Sequence, residues 1–294
     1  MPSLATGKTD KLFRVAHSPH LRAPHSTAKI FWGSLGAISP ILIASVVFFG
    51  WNALRIISIA LASALVFEFL FRSLFKKKIE IGGVHSIWIG ALLAFLLPPT
   101  APSWIVILGV FIAVVIGKEI FGGLGQNLFH PTLVAYATLL TLFPSEMTSD
   151  VQTVFPTTSQ FFLGGPSEIL GGANLSAIVV SGGILMSQKW ISWREPLIYL
   201  AVVFGSTLLM DGDLGQDIFT GSIFLCAFFF VTDSVTIPVT KQGRALFSIE
   251  AGLLTAMFHL WMNPQKAMAS SILLMNALVP LIDRLTKPQI RKFK

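Results

Sequence analysis

Charge is scarce in this chain: Asp, Glu, Lys and Arg make up 12% of its 294 residues, where an ordinary soluble domain carries about a quarter. Cysteine is nearly absent. The one copy, Cys226, lies inside the apolar run IFLCAFFF, which excludes an intramolecular disulfide and a cysteine-ligated cluster within the chain. Histidine is sparse too, and His85, His130 and His259 are spaced too widely for a metal-ligand motif, so no metal site is expected. Basic residues do not interleave with aromatics, which argues against nucleic acid as a partner. The first 27 residues are basic and polar and show no short apolar core beside a cleavage pattern, so a cytoplasmic segment is expected there and a removable signal is not.

What the chain does have is apolar sequence: 53% of it, with a mean hydropathy of +0.75. A bilayer core takes about 20 helical residues. Apolar runs over 28–50, 53–72, 83–99, 103–117, 131–144, 174–188, 196–210, 218–232, 246–261 and 267–284 therefore predict an all-α integral membrane protein of about ten transmembrane helices. The membrane domain is expected over 28–284, with an extracytoplasmic loop at 145–174 and a basic cytoplasmic tail at 285–294. Several runs are short and interrupted by Gly or Pro, a pattern of broken or re-entrant helices around a central site.

Charge placement supports the same topology. With both termini cytoplasmic, 19 of the 21 basic residues fall on the cytoplasmic side, leaving only Arg55 and Lys266 elsewhere. The segments 145–174 and 211–217 carry acids and no bases, as outside segments should. The net charge of +7 then reads as an orientation signal and an attraction to anionic lipid. The runs NLFHPTLVAYATLLTLFP (127–144) and MNPQKAMASSILLMNALVP (262–280) are alike in their Asn and Pro starts and Pro ends. Five spans separate them, which predicts two inverted five-helix halves.

Residues 118–131, KEIFGGLGQNLFHP, carry the densest pattern. The glycines lack the full spacing of the common nucleotide fingerprints, and the flanks are apolar spans. Gly122, Gly123 and Gly125 suit an irregular turn and close helix approach, Gln126 and Asn127 can satisfy freed backbone groups, and Pro131 starts the next helix. Adjacent helical residues point about 100° apart, so Lys118 and Glu119 are expected to reach separate partners and not each other. Glu68, four residues before Arg72, is expected to pair locally or snorkel; Glu250 enters the ninth span as a candidate ion or proton handler.

Six ordered motifs, SPHLRAPHSTAKIF, LLPPTAPSW, KEIFGGLGQNLFHPTLVAYA, ISWREPL, VTDSVTIPVTKQGR and LMNALVPLIDRLTKP, span nearly the whole chain. In their order and spacing the chain resembles the RnfD family, the D subunit of the Rnf electron-transport complex. The homologous NqrB family, from the sodium-pumping NADH:quinone oxidoreductase, is a more distant likeness. The resemblance implies a multi-pass subunit in the bacterial inner membrane, within a hetero-oligomeric, ion-translocating oxidoreductase that moves Na⁺ or H⁺. It implies FMN, esterified to a threonine of an S/T-G-A-T motif on an extracytoplasmic loop, and riboflavin as a further cofactor.

The chain departs from that pattern, reading DVQTVFPTTSQ over 150–160. Counting from Asp150 puts the acceptor position at Pro156, which leaves Thr157 and Thr158 as candidates for attachment and makes covalent FMN doubtful. Candidates for cofactor contact are Gly122, Gly123, Gly125, Asn127, Asp233 and Thr236, each with a structural alternative: a turn for the glycine segment and a helix cap for Asp233. No catalytic residue is assigned. An inverted-repeat channel or transporter and a flavin-free structural subunit stand as alternative functions.

Overall fold

A computed structural model describes residues 27–76, 83–148, 164–165, 167–210 and 220–287. Among them the chain is helical throughout, with no strand. Its helices are α1 (Thr27–Ala37), α2 (Ser39–Phe49), α3 (Trp51–Leu74), α4 (Val84–Leu96) and α5 (Ser103–Phe111), which runs on into a π-helical segment, π1 (Ile112–Glu119). They continue with α6 (Pro131–Leu142), a 3₁₀ turn (Leu170–Gly172), α7 (Leu175–Ser187), α8 (Arg194–Met210) and α9 (Gly221–Leu225). That last helix passes into a second π segment, π2 (Cys226–Phe230), before α10 (Lys241–His259) and α11 (Pro264–Thr286) close the series. Thr27–Phe49, Trp51–Leu74 and Pro264–Thr286 are long and apolar enough to cross a membrane; Val84–Leu96, Pro131–Leu142, Leu175–Ser187 and Gly221–Phe230 are shorter apolar helices.

Breaks between these elements have local causes. Pro40 has no N–H to give the Gly36 carbonyl, and the Ser39 hydroxyl donates to that carbonyl instead, at 2.8 Å, so α1 and α2 bend without stranding it. Gly50 turns the chain into α3 at φ +59°. Asn174 and Thr240 cap α7 and α10, their side-chain oxygens each accepting a backbone N–H at 2.9 Å. α6 and α11 begin alike: an extended residue, His130 or Asn263, then a proline at the first helical position. The paired runs of the sequence thus share a local helix start.

Small residues bring the helices together. A Cβ on Gly90 of α4 would stand 2.9 Å from the Ala60 carbonyl and 3.0 Å from the Ala64 Cβ of α3. Such small-residue contacts are how helices approach where lipid supplies no hydrophobic drive. The closeness of α3 and α4 sets the C-terminal turn of one beside the N-terminal turn of the other. Large apolar side chains such as Trp51, Phe69 and Leu208 remain on the outside, as a bilayer-facing surface requires.

Candidate functional site

Where α3 ends, α4 begins and π1 closes, four charged side chains are buried together. Glu68, Arg72, Lys118 and Glu119 are each at most 2% exposed. Arg72 lies 3.3 Å from Glu68 Oε1 and 2.9 Å from Glu119 Oε1. Lys118 Nζ stands 3.3 Å from each of the same two oxygens and donates to Ser86 Oγ at 2.9 Å. Two acids and two bases therefore alternate in a ring. Each charge taken from water carries a desolvation penalty of several kcal/mol, roughly, which only such close opposite charge offsets.

This geometry confirms one expectation and corrects another. Glu68 does pair locally with Arg72, one turn along α3. Lys118 and Glu119, however, contact each other. The 100° separation belongs to an α-helix, and these residues close a π-helix, whose wider turn reduces the angle between neighbours. The long lysine stem does the rest, folding the ammonium back toward the shared ring. Both residues also reach across the bundle, Lys118 to Ser86 and Glu119 to Arg72.

The glycine segment that follows adopts the turn. Gly122, Gly123 and Gly125 all have positive φ, at 120°, 105° and 83°, where a side chain would strain the backbone. Gly123 N–H closes onto the Lys118 carbonyl at 3.2 Å. Gln126 folds its side chain over Gly122, filling the space a Cβ would need. Asn127 is buried, and its Oδ1 has no hydrogen-bond partner among the described residues.

Asp233 and Thr236 occupy the second irregular segment, between π2 and α10. The Asp233 carboxylate accepts both the Thr236 N–H, at 3.2 Å, and its hydroxyl, at 2.8 Å, an Asx-type turn. A residue missed by sequence reasoning ties this segment to the first. With its amide turned so that both ends are satisfied, Asn276 of α11 donates to the Thr236 carbonyl at 3.1 Å and accepts the His130 N–H at 3.0 Å. Its only signal in the sequence is a lone amide in an apolar run.

Beside Asp233 opens a cleft of about 130 Å³. Its walls are Phe31 of α1, Trp88 of α4, Trp190 after α7, and Phe228 and Phe229 of π2; Thr232, Asp233 and Ser234 supply a polar end. The Phe31 ring packs 4.9 Å from that of His85, which neighbours Ser86 of the ionic ring. Aromatic walls with a few polar groups at one end are the usual make-up of a cofactor pocket.

Elsewhere the polar groups serve packing. Tyr199 Oη and Thr255 Oγ1 are 3.1 Å apart, and Thr255 and Ser271 2.6 Å, a hydroxyl chain joining α8, α10 and α11. Glu195 and Arg244, from two of the quoted motifs, pair at 3.6 Å. Glu168 hydrogen-bonds Gln265 at the start of α11. Glu250 is half-buried on α10 and makes no ion pair among the described residues. Thr157 and Thr158 lie outside the described residues.

The sequence profile of the NQR2, RnfD, RnfE family matches residues 14–292. Among similar proteins, the D subunit of the Na⁺-translocating ferredoxin:NAD⁺ oxidoreductase complex of Acetobacterium woodii is 36% identical, covering 94% of each chain. The D subunit of the proton-translocating ferredoxin:NAD⁺ oxidoreductase complex of Clostridium ljungdahlii is 32% identical, over 94% of this chain and 95% of its own. The D subunit of an ion-translocating oxidoreductase complex from Methanosarcina acetivorans is 33% identical, over 94% and 96%.

Proposed function

Because the chain belongs to the NQR2, RnfD, RnfE family, we propose that it serves as the D subunit in the membrane part of an Rnf-type complex, relaying electrons through bound flavin and coupling them to Na⁺ or H⁺ movement. The carrying observation is the match over 14–292 to a family whose similar members are named as subunits of ion-translocating oxidoreductase complexes. On this reading the other subunits of the complex are its partners. Its place is the bacterial inner membrane, crossed ten times with both ends in the cytoplasm and the two halves inverted.

The aromatic cleft is the flavin site of this reading. Its aromatic walls and polar end are of the kind that holds a planar ring system. Trp88 and Phe229, their rings 6.1 Å apart, offer faces for stacking, while the Ser234 hydroxyl offers a hydrogen bond to a polar ring edge. Bound there, a flavin supplies the electron chemistry, and the protein supplies position, electrostatics and protection from water. The Asp233 carboxylate is held by Thr236, which fixes one negative charge at the mouth of the cleft. Gly122, Gly123, Gly125 and Asn127 act on this reading by shaping the backbone near π1. A covalent FMN belongs to Thr157 or Thr158, on the outer loop.

Absorbance tests the assignment. The chain purified from cells that also make its flavin transferase should show oxidised-flavin colour, released on denaturation if it is held in the cleft and retained if esterified. Colourless protein in both states would leave a flavin-free structural subunit. Mass spectrometry of the peptide spanning 145–175 decides between Thr157, Thr158 and no attachment.

A further inference from the structure

α10 begins where α11 ends, and the two are fastened there. Asp283 Oδ1 accepts the Val239 N–H at 2.9 Å, and the Thr240 and Thr286 hydroxyl oxygens stand 2.6 Å apart, so the segment leading into α10 is clamped to the last turns of α11. Gly243 permits the approach: a Cβ there would lie 3.0 Å from Thr286 Oγ1 and 2.9 Å from the Pro238 Cβ. The clamp gathers one surface from two elements. Val239 is 82% and Leu285 72% exposed on it, and Lys241, Arg284 and Lys287 are exposed beside them.

No carboxylate answers those three bases. None of them makes an ion pair among the described residues. The acids nearby are engaged elsewhere: Asp233 with Thr236, Asp283 with the Val239 N–H, and Glu195 in its buried pair with Arg244. We propose that this surface is a headgroup site for an anionic phospholipid, with the three bases facing its phosphate and Val239 and Leu285 set among its acyl chains.

The level of the surface in the bilayer favours lipid over a soluble acidic partner. Pro264–Thr286 is long and apolar enough to cross a membrane, and its 23 residues reach about 34 Å at about 1.5 Å per residue. A hydrocarbon core is about 30 Å thick, so the last turn of α11 emerges among the headgroups. At that level a basic side chain lays its apolar stem along the acyl chains and keeps its charge at the phosphates. One lipid meets both the apolar pair and the bases, whereas a soluble acidic protein would need its own apolar patch in register with its charges. The clamp also brings like charges together, and an anionic headgroup relieves their repulsion. Lipid binding and the clamp therefore reinforce each other. The inference goes beyond the redox reading, and neither flavin nor electron transfer enters its test.

The test is native mass spectrometry of the full chain, loaded with equal amounts of phosphatidylglycerol and phosphatidylcholine. Wild type should retain at least three-fold more phosphatidylglycerol. The triple variant Lys241→Gln/Arg284→Gln/Lys287→Gln should lose that preference, and Lys76→Gln/Lys189→Gln/Arg194→Gln, which removes three exposed bases elsewhere, should keep it. Equal retention of both lipids by wild type overturns the proposal, as does a preference that survives in the first variant or is lost equally in both. If the first variant does not fold, hydrogen exchange of wild type decides. Exchange over 237–243 and 282–287 should slow at least two-fold in phosphatidylglycerol nanodiscs relative to phosphatidylcholine; unchanged exchange overturns the site. A wild type indifferent to lipid whose first variant folds yet fails to assemble with other subunits would assign the surface to an acidic protein instead.

Discussion

The Lys118 ammonium lies 3.3 Å from the carboxylate of Glu119, the next residue in the chain, and both side chains are fully buried. Neighbours in sequence thereby become members of one ring with Glu68 and Arg72, which sit on another helix. No single member can be removed without stranding a charge.

Arg72 gives the first prediction. Arg72→Met should destabilise the chain by about 3–5 kcal/mol, because Glu119 loses its closest cation in a dry site. The double variant Arg72→Met/Glu119→Met removes one charge of each sign and should recover most of that loss. Thermal unfolding of the three proteins in one detergent checks it; an additive double variant would show that the two residues are not coupled.

Asn276 is expected to report on both irregular segments at once. Replacing it by Leu leaves the His130 N–H and the Thr236 carbonyl without their buried partner, at a cost of about 1–3 kcal/mol per unsatisfied group. Hydrogen exchange should quicken in 120–130 and in 231–240 together. Faster exchange in only one segment would refute the bridge.

Glu168, outside the spans, carries a pH dependence. Burial raises its pKa above the ordinary carboxylate value, while the hydrogen bond from Gln265 opposes the shift in part. The folded chain then binds more protons than the unfolded one in the window just above the unfolded carboxyl pKa. Stability contributed by this residue is present below that window and lost as pH rises through it. Glu168→Gln should remove that slope from the curve of Tm against pH, and a variant curve parallel to wild type would count against the assignment.

For the cleft, Trp88→Ala removes one aromatic wall. Co-purified, non-covalent flavin should fall several-fold relative to wild type while the far-UV helical signal stays unchanged. Flavin content equal to wild type would move the cofactor elsewhere.

The helices were legible because hydropathy alone decides which runs leave water, and each predicted run coincides with a helical segment. The start of α6 at Pro131 and the turn at Gly122–Gly125 were legible for a related reason, since proline and positive φ restrict a chain locally. Tertiary convergence was not. Glu68 and Arg72 announce themselves one turn apart, but Arg72 and Glu119 are separated by 47 positions and meet through helix packing. Reading Lys118 and Glu119 with α-helical angles failed because nothing in their composition signals a π turn. The 25 phenylalanines hid the cleft, since lipid contact alone accounts for such a count.

The Asn276 amide has a consequence beyond holding two groups. It ties together two of the places where the backbone departs from helix, the start of α6 and the turn after π2, and it rides on α11, a helix of 23 residues. A slide of α11 along its axis by one helical turn, about 5.4 Å, would release His130 and Thr236 in the same stroke. One amide on α11 thus couples the two segments through a shared pair of hydrogen bonds.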